Sequence, residues 1–302
     1  MKADRASHTA DFAAAIRATY QYRPEKVLHE DPFAIDLTSP LFRFIVKTPF
    51  LRRLIMEKYF LRRLGASLTI LSRARYAEEY FHNAYRQGIR QVLVLGAGLD
   101  AFALKFAALP ETLAIYELDH PNTQATKQQR LAARQLRSPH QHHFIPIDFS
   151  RDSIADVLSG STIELSRPVY VSWMGMTYYL RKSDILETLK ALDRILAPGS
   201  HMTFDYMDER LFDDTFLVTD PVLKKSIKVF FEFTEKHGEP LLTGFSKSSL
   251  KELLEETNWT LTDSINGREN TAKYLHTTPD FLWPTEFDHL AHIELQPHET
   301  PS

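Results

Sequence analysis

The feature that most constrains this chain is an alternation of short apolar runs with helical segments between Arg90 and Met207. "QVLVLG", "LAIYELD", "HFIPIDF", "PVYVSW" and "HMTFDYM" read as strands, and they are apolar in runs rather than at every second residue. Strands of that kind are buried on both faces, which predicts a parallel sheet covered by helices on either side. The segments between them read as helices over 100–109, 122–136, 151–158 and from Ser183 to Leu196. In the last, Ser183 is the expected N-cap, apolar residues recur at helical spacing, and Pro198-Gly199 ends the run. Before residue 88 the pattern is helical and punctuated by proline. Residues 208–245, rich in Phe and Lys, interrupt the alternation and read as an insertion over a site. After them "SKSSLKELLEETNW" is a helix, "TAKYLHTT" a last strand, and "HLAH" at 289–292 part of a C-terminal tail.

In "QVLVLGAGLD" the first strand runs into Gly96 and Gly98. Such a turn brings a ligand against the main chain with no Cβ between them. The acid that grips a ribose then belongs about twenty residues on, at the tip of the second strand. "IYELDH" puts Glu117 and Asp119 there. Gly96, Gly98 and Ala101 also fit a dinucleotide turn, and Tyr178 and Lys182 have the spacing of a short-chain dehydrogenase pair. That pair needs one helix to carry both, and a helix starting at Ser183 leaves Tyr178 in the preceding loop. A Walker loop is excluded, since no Gly-Lys-Ser/Thr follows Gly98.

With 302 residues, 43% of them hydrophobic, the chain has material for one large domain and a cap. Thirty-six basic against 39 acidic residues leave a formal charge of −3, without the basic surplus of a nucleic-acid binder. No cysteine is present, which removes disulfides and thiolate metal sites. The first twenty residues lack the apolar core of a signal peptide, and no stretch reaches the length of a membrane span. A cytoplasmic protein is the expectation.

"RQVLVLGAGLDAFALKF", "YELDHPNTQATKQQRL", "FIPIDFSRDSIADVL" and "SWMGMTYYL" together resemble the leucine carboxyl methyltransferase family, and within it the bacterial S-adenosylmethionine-dependent O-methyltransferases. The linked set GAGLD, E-x-DHP and DF carries the resemblance, which extends to "GEPLLTGFSKSSLKELLEE". It implies an α/β, class I methyltransferase fold: a Rossmann-like, doubly wound, mostly parallel sheet with an antiparallel hairpin strand. The implied domains are an N-terminal helical cap over 1–88 and a methyltransferase domain over 89–302, with a lid insertion at about 208–245. S-adenosyl-L-methionine is the implied cofactor, and no metal is implied.

By family position, Arg73 in "SRARYAEE" holds the methionine carboxylate, with Arg75 next, since a guanidinium fork matches a carboxylate. The alternative is that either pairs with Glu78 or Glu79 on its own helix. Gly96 and Gly98 line the cofactor, Asp119 takes the ribose, Asp148 and Phe149 flank the adenine, and Lys26 matches a second carboxylate-binding position. Asp148 suits the cap of the following helix equally well. Two departures stand out: Ala101-Phe102 where many relatives carry Thr-Arg, and Met174 where many carry Glu. Acceptor contacts therefore do not transfer.

Methyl transfer asks a protein mainly for alignment and exclusion of water. A carboxylate acceptor, with an ordinary pKa of about 4, needs no base, whereas a phenol near 10 gains from one. His120, His201 and Asp205 are the candidate bases, and Tyr178, Tyr179 and Tyr206 candidate substrate-orienting groups. Tyr178, Tyr179 and His120 lead the catalytic expectation, although His120 equally suits a helix cap. Neither "HQHH" at 140–143 nor "HLAH" reads as a metal site. "LFRFIVKTPFLRRLIMEKYFLRRLG" reads first as a cap helix with a solvated basic side, and second as a membrane-interfacial helix. The expected activity is O-methylation of a carboxyl or hydroxyl group on a small metabolite. A catalytically silent cofactor-binding protein and a nicotinamide-dependent oxidoreductase are the other readings.

Overall fold

The computed structural model describes residues 8–22, 28–61, 66–149, 151–213, 217–236, 238–274 and 286–297. Helices α1 (His8–Tyr20), α2 (Ala34–Leu37), α3 (Pro40–Lys47) and α4 (Pro49–Leu51), a π-helical segment (Arg52–Leu61) and the long α5 (Ala66–Arg86) precede the sheet. Then come β1 (Gln91–Leu95), β2 (Ala114–Asp119), α6 (Pro121–Ala133), β3 (Gln141–Pro146), α7 (Ile154–Ser159), β4 (Val169–Trp173), α8 (Lys182–Ile195) and β5 (His201–Met207). Helices α9 (Pro221–Lys236) and α10 (Lys247–Leu254), strand β6 (Trp259–Asn266), α11 (Gly267–Tyr274) and β7 (Asp288–Leu295) complete the order.

The five strands anticipated between Arg90 and Met207 form, and the sheet runs β3-β2-β1-β4-β5-β7-β6. β1 to β5 pair in parallel, and β7 inserts antiparallel between β5 and β6. This is the class I methyltransferase arrangement that the resemblance implies. The apolar runs of the inner strands are explained by burial on both faces, whereas β3, at the edge of the sheet, is only partly buried. Leu93, Trp173 and Phe204 pack with Ile185 and Leu189 of α8 and Leu250 of α10 on one side. Val92, Val94 and Tyr170 pack on Phe81 of α5 on the other. Each such side chain contributes about 1.5–3 kcal/mol of hydrophobic stabilisation.

Several local expectations are corrected. Residues 100–109 form only a 3-10 turn, Phe102–Leu104, because Phe106 takes a left-handed φ of +62° that no α-helix continues through. Arg181, not Ser183, caps α8, since the Asp184 side chain reaches back to the Arg181 N–H. In "TAKYLHTT" residues 271–274 belong to α11, and the remainder lies outside the described residues. Asn266 and Glu269 start that helix by each accepting the other's backbone N–H, at 2.8 and 2.9 Å. "HLAH" is not a tail but the first half of β7, an inner strand of the sheet.

The basic segment at 41–65 is not one helix: Thr48-Pro49 breaks it, and a π-helical segment follows. Ile45, Val46 and Met56 are buried in a core shared with α1, whereas Leu41, Phe44, Phe50 and Leu54 are exposed. Among the described residues no helix is long and apolar enough to cross a membrane.

Candidate functional site

The order 3-2-1-4 reverses direction between β1 and β4, and an open parallel sheet binds ligands at the carboxyl ends of its strands at such a point. A cavity of about 1220 Å³ lies there. It is lined by Gly96, Gly98, Asp119, Asp148 and Phe149 on one side and by Arg73, Tyr178 and Tyr179 on another.

Gly96 and Gly98 turn the chain with φ of +65° and +48°, conformations that side chains disfavour. A Cβ at Gly96 would lie 2.5 Å from the Met176 Cγ and Sδ. The Gly98 N–H donates to Asp119 Oδ2, and the His120 N–H to Asp119 Oδ1 at 2.6 Å. Burial pushes the Asp119 carboxyl above the usual carboxylate range, with those two N–H groups opposing. Glu117 is committed elsewhere: it is buried against Lys127 Nζ at 2.6 Å and His142 Nε2 at 3.1 Å. Burial alone would raise its pKa, but Lys127 and the contact with His142 bring it below the usual range.

Arg73 projects from α5 into the cavity wall. Its Nη1 donates to the Tyr178 hydroxyl at 2.9 Å and to Asp205 Oδ2 at 3.0 Å. Burial disfavours the charged guanidinium, but Tyr178 and Asp205 outweigh it and hold the pKa above the ordinary arginine value. The other guanidinium nitrogens have no hydrogen-bond partner among the described residues. Gly175 makes the fit possible, since a Cβ there would lie 2.9 Å from Arg73 Nη1. The intrahelical alternative fails: Glu78 pairs with Lys105 at 2.5 Å, and Glu79 with Lys273 at 3.0 Å and the Tyr274 hydroxyl at 2.6 Å. Arg75 is exposed over the Tyr274 ring and does not line the cavity.

Asp148 and Phe149 lie beside the glycine turn, and Ser153 rather than Asp148 caps α7. Lys26 lies outside the described residues. Of the two departures, Phe102 is buried edge-on against Phe81, 5.1 Å between centroids, and both it and Met174 line the cavity.

Burial pushes the Tyr178 and Tyr179 phenols up, so both remain neutral hydrogen-bonding groups at neutral pH. His120 caps α6, its Nδ1 accepting from the Asn122 N–H at 3.3 Å. A neutral ring accepting through Nδ1 carries its proton on Nε2, so it offers a donor rather than a base. Asp205 accepts from Arg73 through one oxygen and from the Gly175 N–H at 2.5 Å through the other, and it does not itself line the cavity. It reaches the cavity through Arg73, as a positioning group. His201 sits at the amino end of β5, opposite the cavity, and Tyr206 is buried with its hydroxyl on Ser264 at 2.9 Å. Neither lines the cavity.

The sequence reading missed a buried charged wall behind the glycine turn. Arg17 pairs with Asp31 at 2.9 Å and donates to the Leu99 carbonyl at 2.7 Å, and His29 lies 3.3 Å from Lys105 Nζ. A cation inside the alanine-rich "AAAIRAT" was the available signal. Also missed were two carboxylates in the wall near the tyrosines, Glu239 and Asp288, which accept from the Thr9 and Thr69 hydroxyls.

The family model described as leucine carboxyl methyltransferase matches residues 10–193. YktD of Bacillus subtilis (strain 168), named as a candidate S-adenosyl-L-methionine-dependent methyltransferase, is 26% identical over 97% of this chain and 99% of its own. A Mycolicibacterium paratuberculosis protein of the same description is 30% identical over 68% of this chain and 67% of its own. A solved duf574 family protein from Streptomyces avermitilis shares the fold at TM-score 0.57 and 13% identity, over 97% and 98% of the two chains. A candidate methyltransferase from Thermobifida fusca does so at 0.53 and 14%, over 96% and 98%.

Proposed function

Because the chain belongs to the leucine carboxyl methyltransferase family, we propose that it is an O-methyltransferase whose acceptor is a small, largely apolar molecule bearing a hydroxyl group. Dependence on S-adenosylmethionine follows from its relatives; the acceptor is the further step.

The residues present fit that cofactor. The glycine turn admits a ligand against the main chain, and the Asp119 carboxylate suits a pair of ribose hydroxyls. Asp148 and Phe149 suit an adenine, and the part of Arg73 not engaged by Tyr178 and Asp205 suits a carboxylate. When bound, the cofactor supplies a methyl group on a sulfonium, which is already activated for displacement. Binding, alignment and exclusion of water remain for the chain.

The opposite wall of the cavity carries the acceptor reading. Met207, Leu223, Ile227, Phe230, Phe231 and Leu242 line it, mostly from α9, with Glu239 and Asp288 among the other lining groups. This wall supports a lid role for 208–245 and an apolar acceptor body. Burial and then the Asp205 charge raise the Tyr178 pKa most, with Arg73 opposing and Asp288 adding a smaller push. Tyr179 is raised by burial, then Tyr178, then Glu239. The same field disfavours an anionic acceptor and gives a hydroxyl proton somewhere to go. Tyr178 and Tyr179 line the cavity, which supports a role for them in orienting the acceptor oxygen, with His120 as a further donor. The oxidoreductase reading loses its pair, since Tyr178 lies in a 3-10 turn and Lys182 opens α8.

The test supplies methyl-labelled cofactor with a panel of hydroxylated and carboxylated apolar compounds, then treats the products with mild alkali. Methyl ethers keep the label, whereas methyl esters release it as methanol. Label retained after alkali is the expected result. Released methanol overturns the hydroxyl acceptor, and cofactor binding without any labelled product favours the silent binder.

A further inference from the structure

We propose that His201, His292 and Glu294 form a zinc site at the amino end of β5, separate from the methyl-transfer cavity. β5 and β7 pair with His201 opposite Glu294 and Thr203 opposite His292. Residues two apart on a strand share a face, so all three side chains project to one side of the sheet. That side carries α5, whose Tyr80 ring stacks on His292 with centroids 4.0 Å apart.

The donor atoms form a compact triangle. His201 Nδ1 lies 3.1 Å from His292 Nε2 and 3.5 Å from Glu294 Oε1, and His292 Nε2 lies 3.8 Å from Glu294 Oε1. The centre of a triangle with those edges is about 2.0 Å from every corner, the length of a Zn–N or Zn–O bond. Two imidazoles and one carboxylate, leaving a position for water, make a zinc donor set, whereas calcium and magnesium ask for more oxygens. Among the described residues it is the one grouping of three such donors this close.

Without an ion, one ring nitrogen of the histidine pair donates its proton to the other. Zinc takes a lone pair from each, and the shared proton moves to an outer ring nitrogen, so binding releases no proton from the pair. The side chains of His201 and His292 are 8% and 3% exposed and that of Glu294 39%, so the two imidazoles are fixed by packing while the carboxylate side stays open to the ion. Arg73 and Tyr80 stand on the same helix, separated by about 10 Å of helical rise. The site therefore clamps β7 to β5 without touching the cofactor groups.

The experiment uses the full chain, stripped with chelator and titrated with zinc chloride by calorimetry and with cobalt(II) by visible absorption. One zinc per chain is expected, with the intense visible bands of low-coordinate cobalt and a rise in Tm on zinc addition. His292→Gln is expected to abolish binding, and Glu294→Gln to weaken it at least tenfold while leaving the far-ultraviolet circular dichroism unchanged. The partly exposed Glu294 gives a reading even where the His292 variant does not fold. No saturable binding, or the same stoichiometry and affinity in the Glu294 variant, overturns the site.

Discussion

Arg73 and Asp205 are joined at 3.0 Å through Nη1, the same guanidinium nitrogen that reaches the Tyr178 hydroxyl at 2.9 Å. Asp205 thus sets the direction of the fork without itself lining the cavity. Asp205→Asn keeps the shape and removes the charge. One hydrogen bond to a charged group is worth about 1.5–3 kcal/mol, so the cofactor Kd should rise tenfold or more while the acceptor KM stays put. Calorimetric titration checks this, and an unchanged Kd detaches Asp205 from the cofactor side.

Asp119 is placed to act as an acceptor and must be ionised to receive two hydroxyl donors. Asp119→Ala should weaken cofactor binding by about a hundredfold or more, as two such bonds are lost. Because burial holds its pKa above the usual range, affinity in the unmodified protein should begin to fall at a pH above the ordinary carboxylate value of about 4. Protonation removes the acceptor, so the loss comes on the acid side. Kd measured across pH reads the effect, and a pH-independent Kd excludes Asp119 as the gripping group.

Gly96→Ala combines a left-handed φ with a Cβ 2.5 Å from the Met176 side chain. The backbone term alone costs roughly 1–2 kcal/mol. The double variant Gly96→Ala/Met176→Ala should recover the steric part but not the backbone part, which a double-mutant cycle in urea separates. Additive effects would mean that Met176 does not restrain the turn.

Asp208 accepts from Arg210 Nε and Nη2, each at 2.9 Å, and from His289 Nε2 at 3.2 Å. Burial works against its charge, but His289 and Arg210 prevail and hold the carboxyl well below the usual range. A depressed folded-state pKa gives stability that is present above the unfolded value of about 3.9 and lost as pH falls from there toward the folded one. The urea midpoint of Asp208→Asn should therefore lie below that of the parent at pH 7, with the gap closing under acid. Parallel curves down to pH 3 would contradict the pairing.

The parallel half of the sheet was legible because β1 and β4 are mainly apolar and short strand-like segments alternate with helical ones, and the linked GAGLD, DHP and DF segments located the cleft within it. Beyond Met207 local pattern misled. "LTDSIN" carries too many polar residues to announce β6, and "HLAH" hides an inner strand because His292 is buried, and His289 half-buried, by neighbours that sequence spacing cannot reveal. The pairing of Arg73 was illegible for the same reason. Its partner Asp205 is on β5, brought opposite α5 only by the sheet. The paired charges Arg17 and Asp31 belong to a buried wall that no local motif describes.

The insertion of β7 between β5 and β6 has a consequence for biosynthesis. β5 is complete at Met207, but its neighbour begins only at Asp288. At about 5–20 residues per second, the ribosome leaves the edge of β5 bare for roughly four to sixteen seconds. Bare edges invite pairing with other nascent chains, so the interval between these two strands leaves β5 open to such pairing.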